Sequence, residues 1–72
     1  MILHANDPEA PHYKVKNLDT NEYINDVVWC DTAKGVYEVL VRNSNDALVI
    51  ILGEALTKRC RANIQLEKKY SL

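Results

Sequence analysis

The sequence predicts a mainly β fold: a small antiparallel meander of about five strands, curled into a sheet or small barrel, with at most one short helix. Three observations carry this. Strand-like segments recur at spacings of roughly 10 to 13 residues. Short polar clusters of Asn, Asp and Gly separate them. The segments themselves are filled by β-branched and aromatic residues. The chain has 72 residues, 47% of them hydrophobic. That is enough for one thin core, because a chain this short buries only about 60% of the surface its unfolded form exposes.

Taken in order, residues 1–11 contain Asn6-Asp7-Pro8 and Ala10-Pro11 and show no periodicity. Two prolines so close block both helix continuation and ladder hydrogen bonds, so an irregular N-terminal arm is expected. A single small β domain is expected over residues 12–68, and a C-terminal tail over 69–72. Residues 12–18 alternate, with Tyr13 and Val15 on one face and Lys14 and Lys16 on the other. Asp19-Thr20-Asn21-Glu22 is a turn in which Asn21 suits left-handed backbone. Residues 23–30, with Ile24, Val27, Val28 and Trp29, read as one second strand. The clearest hairpin follows, its turn running from Asp31 to a Gly35 placed for positive φ. A third strand over 36–42 puts Tyr37, Val39 and Val41 on one face.

Asn43-Ser44-Asn45-Asp46 is another polar turn. Residues 47–52 are apolar on both faces, which fits a covered or interfacial strand. A helix would also gather Leu48, Ile51, Leu52, Ala55 and Leu56 into one stripe. The consecutive β-branched Val49, Ile50 and Ile51, followed by Gly53, favour the strand. The last pattern is the cleanest. Cys60, Ala62, Ile64 and Leu66 alternate with Arg59, Arg61, Asn63, Gln65 and Glu67, as in one amphipathic strand.

Several functions find no support in these residues. The longest apolar run, 47–52, is far short of the 18 or so residues a membrane helix needs, so no membrane partner is expected. The first residues carry no basic n-region, so secretion by a signal peptide is not expected. In a reducing compartment Cys30 and Cys60 stay as thiols, each a small buried hydrophobe. His4, His12, Cys30 and Cys60 lack zinc-ligand spacing, so no metal and no cofactor is expected. No nucleophile stands beside a base. Cys60, between two arginines, is the better-placed thiol, but His4 and His12 belong to the arm, and paired carboxylates such as Asp26 and Asp31 read as solvating. The chain is expected not to be an enzyme and to have no catalytic residues.

Charge is uneven although the net charge is only -1. Residues 1–55 hold four basic and nine acidic groups, and residues 56–72 hold five basic and one acidic. The cluster Lys58-Arg59-Cys60-Arg61 either contacts phosphates or an acidic partner, or is a solvated face paired with Glu38 or Asp26. With Lys68 and Lys69 it is the basis of a rival reading, a small nucleic-acid-binding or regulatory β-barrel. The aromatics lie mostly away from the cluster, which argues against nucleic acid as the partner. Tyr23, Trp29 and Tyr37 fit a core, or anchors at an interface. The expected interface residues are Trp29, Tyr37, Leu48, Ile50, Leu52, Arg59 and Arg61.

The run Val15-Lys16-Asn17-Leu18-Asp19-Thr20-Asn21-Glu22, with Asp26-Val27-Val28-Trp29-Cys30-Asp31-Thr32, Lys34-Gly35-Val36-Tyr37 and Glu54-Ala55-Leu56-Thr57-Lys58-Arg59, resembles small β-rich proteins of tailed bacteriophages and prophages. The shared features are a Val-Val-aromatic hairpin with an acidic turn and Gly, then a basic final strand, over residues 13–67. Asn21 stands where a Gly is expected in the first turn, an exchange that keeps the backbone shape. The resemblance implies a virion or assembly component, placed in the host cytoplasm or the virion, and carries no catalytic residue across. The expected function is a non-catalytic interaction module acting as a homo-oligomer or with other structural proteins of an assembly.

Overall fold

The computed structural model describes residues 1–69. The chain is mainly β, with antiparallel sheets that curl without closing into a barrel. Nine strands occur among the described residues: β1 (Ile2–His4), β2 (Tyr13–Asn17), β3 (Glu22–Ile24), β4 (Val27–Asp31), β5 (Val36–Leu40), β6 (Ile50–Ile51), β7 (Glu54–Ala55), β8 (Thr57–Arg61) and β9 (Ile64–Lys68). One 3₁₀ turn spans Ala10–His12. The larger sheet has the order β1-β4-β5-β8, the smaller β3-β2-β9, and β6 pairs with β7 as a separate ribbon.

Three turns share one device: an Asx side chain takes up backbone donors that the turn would otherwise leave unpaired. Asn17 Oδ1 accepts from the N–H groups of Asp19 (2.9 Å) and Thr20 (3.3 Å), and Asn21 closes the turn at φ 62°. Asp31 Oδ1 accepts from Ala33 (3.0 Å) and Lys34 (3.2 Å), and Gly35 closes at φ 66°. Asn43 Oδ1 accepts from Asn45 (2.9 Å) and Ala47 (3.1 Å), with Asp46 at φ 62°. Asn21 and Gly35 thus hold the left-handed backbone that their residue types favour.

The expected arm is a correction. Ile2–His4 pairs with β4 in the register Ile2↔Asp31, Leu3↔Cys30, His4↔Trp29. Leu3 is buried with Val15, Cys30 and Ile64 in the core that joins the two sheets. Pro8 and Pro11 lie beyond this strand, so the prolines shape the crossover to β2 and leave β1 intact. The expected tail lies outside the described residues except for Lys69, whose N–H donates to the His12 carbonyl at 2.7 Å.

Two expected strands are each two strands in different sheets. Residues 23–30 break at Asp26, whose left-handed φ of 61° turns the chain from β3 to β4. The final alternation breaks at Ala62 and Asn63, between β8 in the larger sheet and β9 in the smaller. That link is pinned from both sides. The Ala62 N–H donates to the Gly35 carbonyl at 2.9 Å, and the Leu18 N–H donates to the Asn63 carbonyl at 2.7 Å. Asp19 accepts from the Asn63 backbone (3.2 Å) and from its side-chain amide (3.0 Å). A hydrophobic alternation carries on unbroken through such a crossover, because both sheets turn their inner faces to one core.

Residues 47–52 are neither a covered strand nor a helix. They sit in an insertion between β5 and β8 that forks into two short hairpins. At the fork the Val41 N–H donates to Leu56, the Leu56 N–H to Val49 and the Val49 N–H to Val41, at 2.9, 2.8 and 3.1 Å. This closed ring of three backbone bonds joins three chain segments where β5 and β8 part. Arg42 braces the first branch, bonding both carboxylate oxygens of Asp26 (2.8 and 3.1 Å) and the Asp46 carbonyl (2.9 Å). The second branch is β6 and β7, with Ile51 opposite Glu54 and only Leu52 and Gly53 between them.

Candidate interaction surface

Side-chain direction on the larger sheet depends on one irregularity. β4 pairs Val27 with Val39 and Trp29 with Glu38, so two steps along β4 match one step along β5. This β-bulge at Val28 puts Val27 and Trp29 on opposite faces, although alternation alone sets them on the same one. Val27 packs on the core. Trp29 joins a row across all four strands of the outer face: His4, Trp29, Glu38 and Arg59.

The row is tied together. Arg59 bonds Glu38 Oε1 through Nε (3.2 Å) and Nη2 (2.9 Å). Its guanidinium lies 5.6 Å from the Trp29 ring centroid, and the His4 ring lies 6.3 Å away on the other side. Trp29 and Arg59, two of the expected interface residues, therefore meet in space. Such a row suits partner contact, since Trp and Arg concentrate binding energy. Half of the solvated-face alternative for the basic cluster also holds: Arg59 pairs with Glu38, while Asp26 takes Arg42 instead. Arg61 is exposed on β8, opposite Val36, and Lys58 opposite Val39. Lys68 belongs to the other sheet, opposite Tyr13.

Tyr37 points the other way. It lies between Cys30 and Cys60 on the inner face and packs on the core, so its expected anchoring role gives way to a structural one. Burial, then the adjacent Cys60 thiol, holds its hydroxyl above the ordinary range. Burial likewise pushes the Cys30 thiol up, which disfavours the reactive thiolate. The two cysteines are separated by a whole strand, roughly 10 Å, which is too far for a disulfide. No three His, Cys, Asp or Glu side chains gather as a metal site among the described residues.

The remaining expected residues, Leu48, Ile50 and Leu52, fall together on the forked insertion. Leu48, Ile50, Ile51, Leu52 and Leu56 are all exposed, and Leu52 is 100% exposed. Single exposed apolar residues are ordinary on a protein surface, whereas five of them between residues 48 and 56 make this insertion a candidate contact site. Leu52 has φ 51° and Gly53 φ 80°. Positive φ at both positions of a two-residue loop is the type I′ hairpin turn, which favours Asn-Gly or Asp-Gly. A Leu there is strained and fully in water.

A cleft of about 500 Å³ opens between the two sheets, on the side of β1, β2 and β3. Leu3, Ala10, Val15, Ile24 and Val27 contribute its apolar lining, and the exposed Lys14 and Lys69 stand beside it. Lys14 Nζ lies 4.3 Å from the ring centroid of Tyr23, whose hydroxyl donates to Glu67 at 2.7 Å. Sequence reasoning missed this cleft, because its lining comes from five separate segments. It also missed His4 and Glu38 as neighbours of Trp29, which only the strand register reveals.

Comparison with protein-family models, with curated proteins and with solved structures found no match to this chain.

Proposed function

We propose that this chain is a non-catalytic protein–protein interaction module that works as an oligomer. Its place in a phage virion or its assembly follows from the resemblance of residues 13–67 to small β-rich phage proteins, which puts it in the host cytoplasm or the virion. One observation supports the reading above the rest: five large apolar side chains, Leu48, Ile50, Ile51, Leu52 and Leu56, stand exposed within one braced insertion. Water penalises that surface by roughly 25 cal/mol for each Å² left exposed, and a second protein surface removes the penalty. The row of His4, Trp29, Glu38 and Arg59 supplies a second, more polar contact face.

The rival reading, nucleic-acid binding through Lys58, Arg59, Arg61, Lys68 and Lys69, is weaker on geometry. Arg59 is already engaged by Glu38, and Lys68 lies in the other sheet. Sedimentation equilibrium across micromolar concentrations tests the proposal. A mass above that of one chain, without the steep salt dependence of phosphate contacts, is the expected result. A monomer at every concentration that binds DNA or RNA with steep salt dependence overturns it.

A further inference from the structure

Leu52 breaks two rules at one position. Its left-handed φ of 51° is one that β-unbranched apolar residues rarely adopt, and its side chain is 100% exposed. Asn or Asp would relieve both faults, so the fold alone gives no reason for a Leu. Residues that conflict with local structure concentrate at functional sites, where a contact outside the isolated chain repays the conflict. The turn also aims the side chain outward at the tip of a two-residue loop, the most protruding geometry a hairpin offers.

The same chain carries a matching receptor. The cleft between the sheets offers Leu3, Ala10, Val15, Ile24 and Val27 beside polar groups such as His4 and Asn25, with about 500 Å³ of space, within the usual range for a cleft that buries a ligand. Charge matches as well. Glu54 is the one charged residue in 47–57, and it sits beside the tip opposite Ile51. Lys14 and Lys69 stand at the cleft, and the carboxylates near them already have partners: Asp26 is paired with Arg42, and Glu67 with Lys16 and the Tyr23 hydroxyl. The tip does not fill its own cleft, because Leu52 has no cover within the chain. Tip and cleft share no residue.

Resting on the oligomer reading above, we infer that the hairpin tip at Ile50, Ile51 and Leu52 inserts into the inter-sheet cleft of a second copy, with Glu54 meeting Lys14 and Lys69. The contact is heterologous: one copy gives the tip and the other the cleft. Two copies exchange tips as a reciprocal pair, or successive copies form a ring.

The test uses two variants of the full chain and their mixture. Leu52→Asn removes the apolar tip while giving the turn its preferred Asn-Gly pair. It is expected to raise the thermal midpoint of the monomer and to weaken self-association at least tenfold. Ala5→Glu, at an exposed cleft position, crowds the cleft and repels Glu54, and is expected to weaken self-association to a similar degree. Neither variant alone should associate. Mixed, the intact tip of the Ala5→Glu chain enters the intact cleft of the Leu52→Asn chain. Sedimentation then shows a 1:1 species of twice the 8.2 kDa chain mass. Association unaffected by Leu52→Asn overturns the insertion while leaving the oligomer reading in place. So does a mixture that stays monomeric, since a tip-to-tip contact is never restored by mixing. A wild-type chain that is monomeric throughout overturns both, and one that instead binds phosphatidylcholine vesicles through Leu52 places the tip in a lipid surface.

Discussion

Asp26 shows how much one residue settles. Its φ of 61° turns the chain between sheets, its carbonyl accepts from the Leu40 N–H at 3.0 Å, and its carboxylate grips Arg42. The Arg42 hydrogen bonds, and then its charge, hold the Asp26 carboxyl below its ordinary 3.8 against the opposing effect of desolvation. A carboxyl lowered in the folded state adds stability above its unfolded value, and that stability is lost as pH falls through the folded value. Asp26→Asn keeps a residue that tolerates left-handed backbone and removes the charge. Its urea midpoint should fall below wild type at pH 6 to 7, and the two midpoints should converge as pH drops under 3.8. A gap that persists at the lowest pH would show that the charge is not the cause. Gly35 gives a second prediction at this scale. A Cβ there would stand 2.7 Å from the Ala62 carbonyl oxygen at a φ of 66°, whereas at Gly53 the space is open. Gly35→Ala should therefore cost more than about 1 kcal/mol, and more than Gly53→Ala, in urea unfolding.

Among the elements, the decisive features are the crossovers. The link between β8 and β9 is held by Asp19 from one turn and Gly35 from another, so two hairpins and both sheets meet at Asn63. Asp19→Ala removes two hydrogen bonds at exposed positions. A loss of about 1 kcal/mol is expected, at the lower end for two bonds because water competes for both partners. Amide exchange should locate the loss, with faster exchange at Asn63 than in β4. The bulge at Val28 works at this scale too. By re-aiming Trp29 it assembles an outer-face row from four strands, and no single strand contains that row.

For the molecule as a whole, the core is thin: Leu3, Val15, Cys30 and Ile64 form its buried centre, drawn two from each sheet. Leu3→Ala should cost about 2 to 3 kcal/mol in urea, as a buried leucine does, whereas a free arm would lose nothing. The same core separates the two thiols. Cys30 is 1% exposed and its thiol is raised by burial, while Cys60 is partly open. Iodoacetamide should label Cys60 in the native chain and reach Cys30 only on unfolding, as mass spectrometry of the digested protein would show.

Local chemistry was legible from the residues alone. Asn21 and Gly35 were placed at positive φ because few other residues tolerate it, and the β class followed from alternation and β-branched content. Residues 47–52 read as a strand apolar on both faces, covered or interfacial; the exposure of Leu48, Ile50 and Leu52 and their hairpin form came only from the structure. What the tertiary structure decided was every property that depends on partners distant in sequence. Alternation marks inward residues without saying which sheet they enter, so the break at Asn63 left no trace in it, whereas Asn25-Asp26 was a turn signal inside residues 23–30 that the β-branched content around it outweighed. Leu3 looked like part of an arm because its three-residue strand is too short for periodicity, and only its pairing with Cys30 makes it core. Tip, cleft and aromatic row are surfaces set by register and by sheet packing, which arise from hydrogen bonds between strands and from burial across the whole chain.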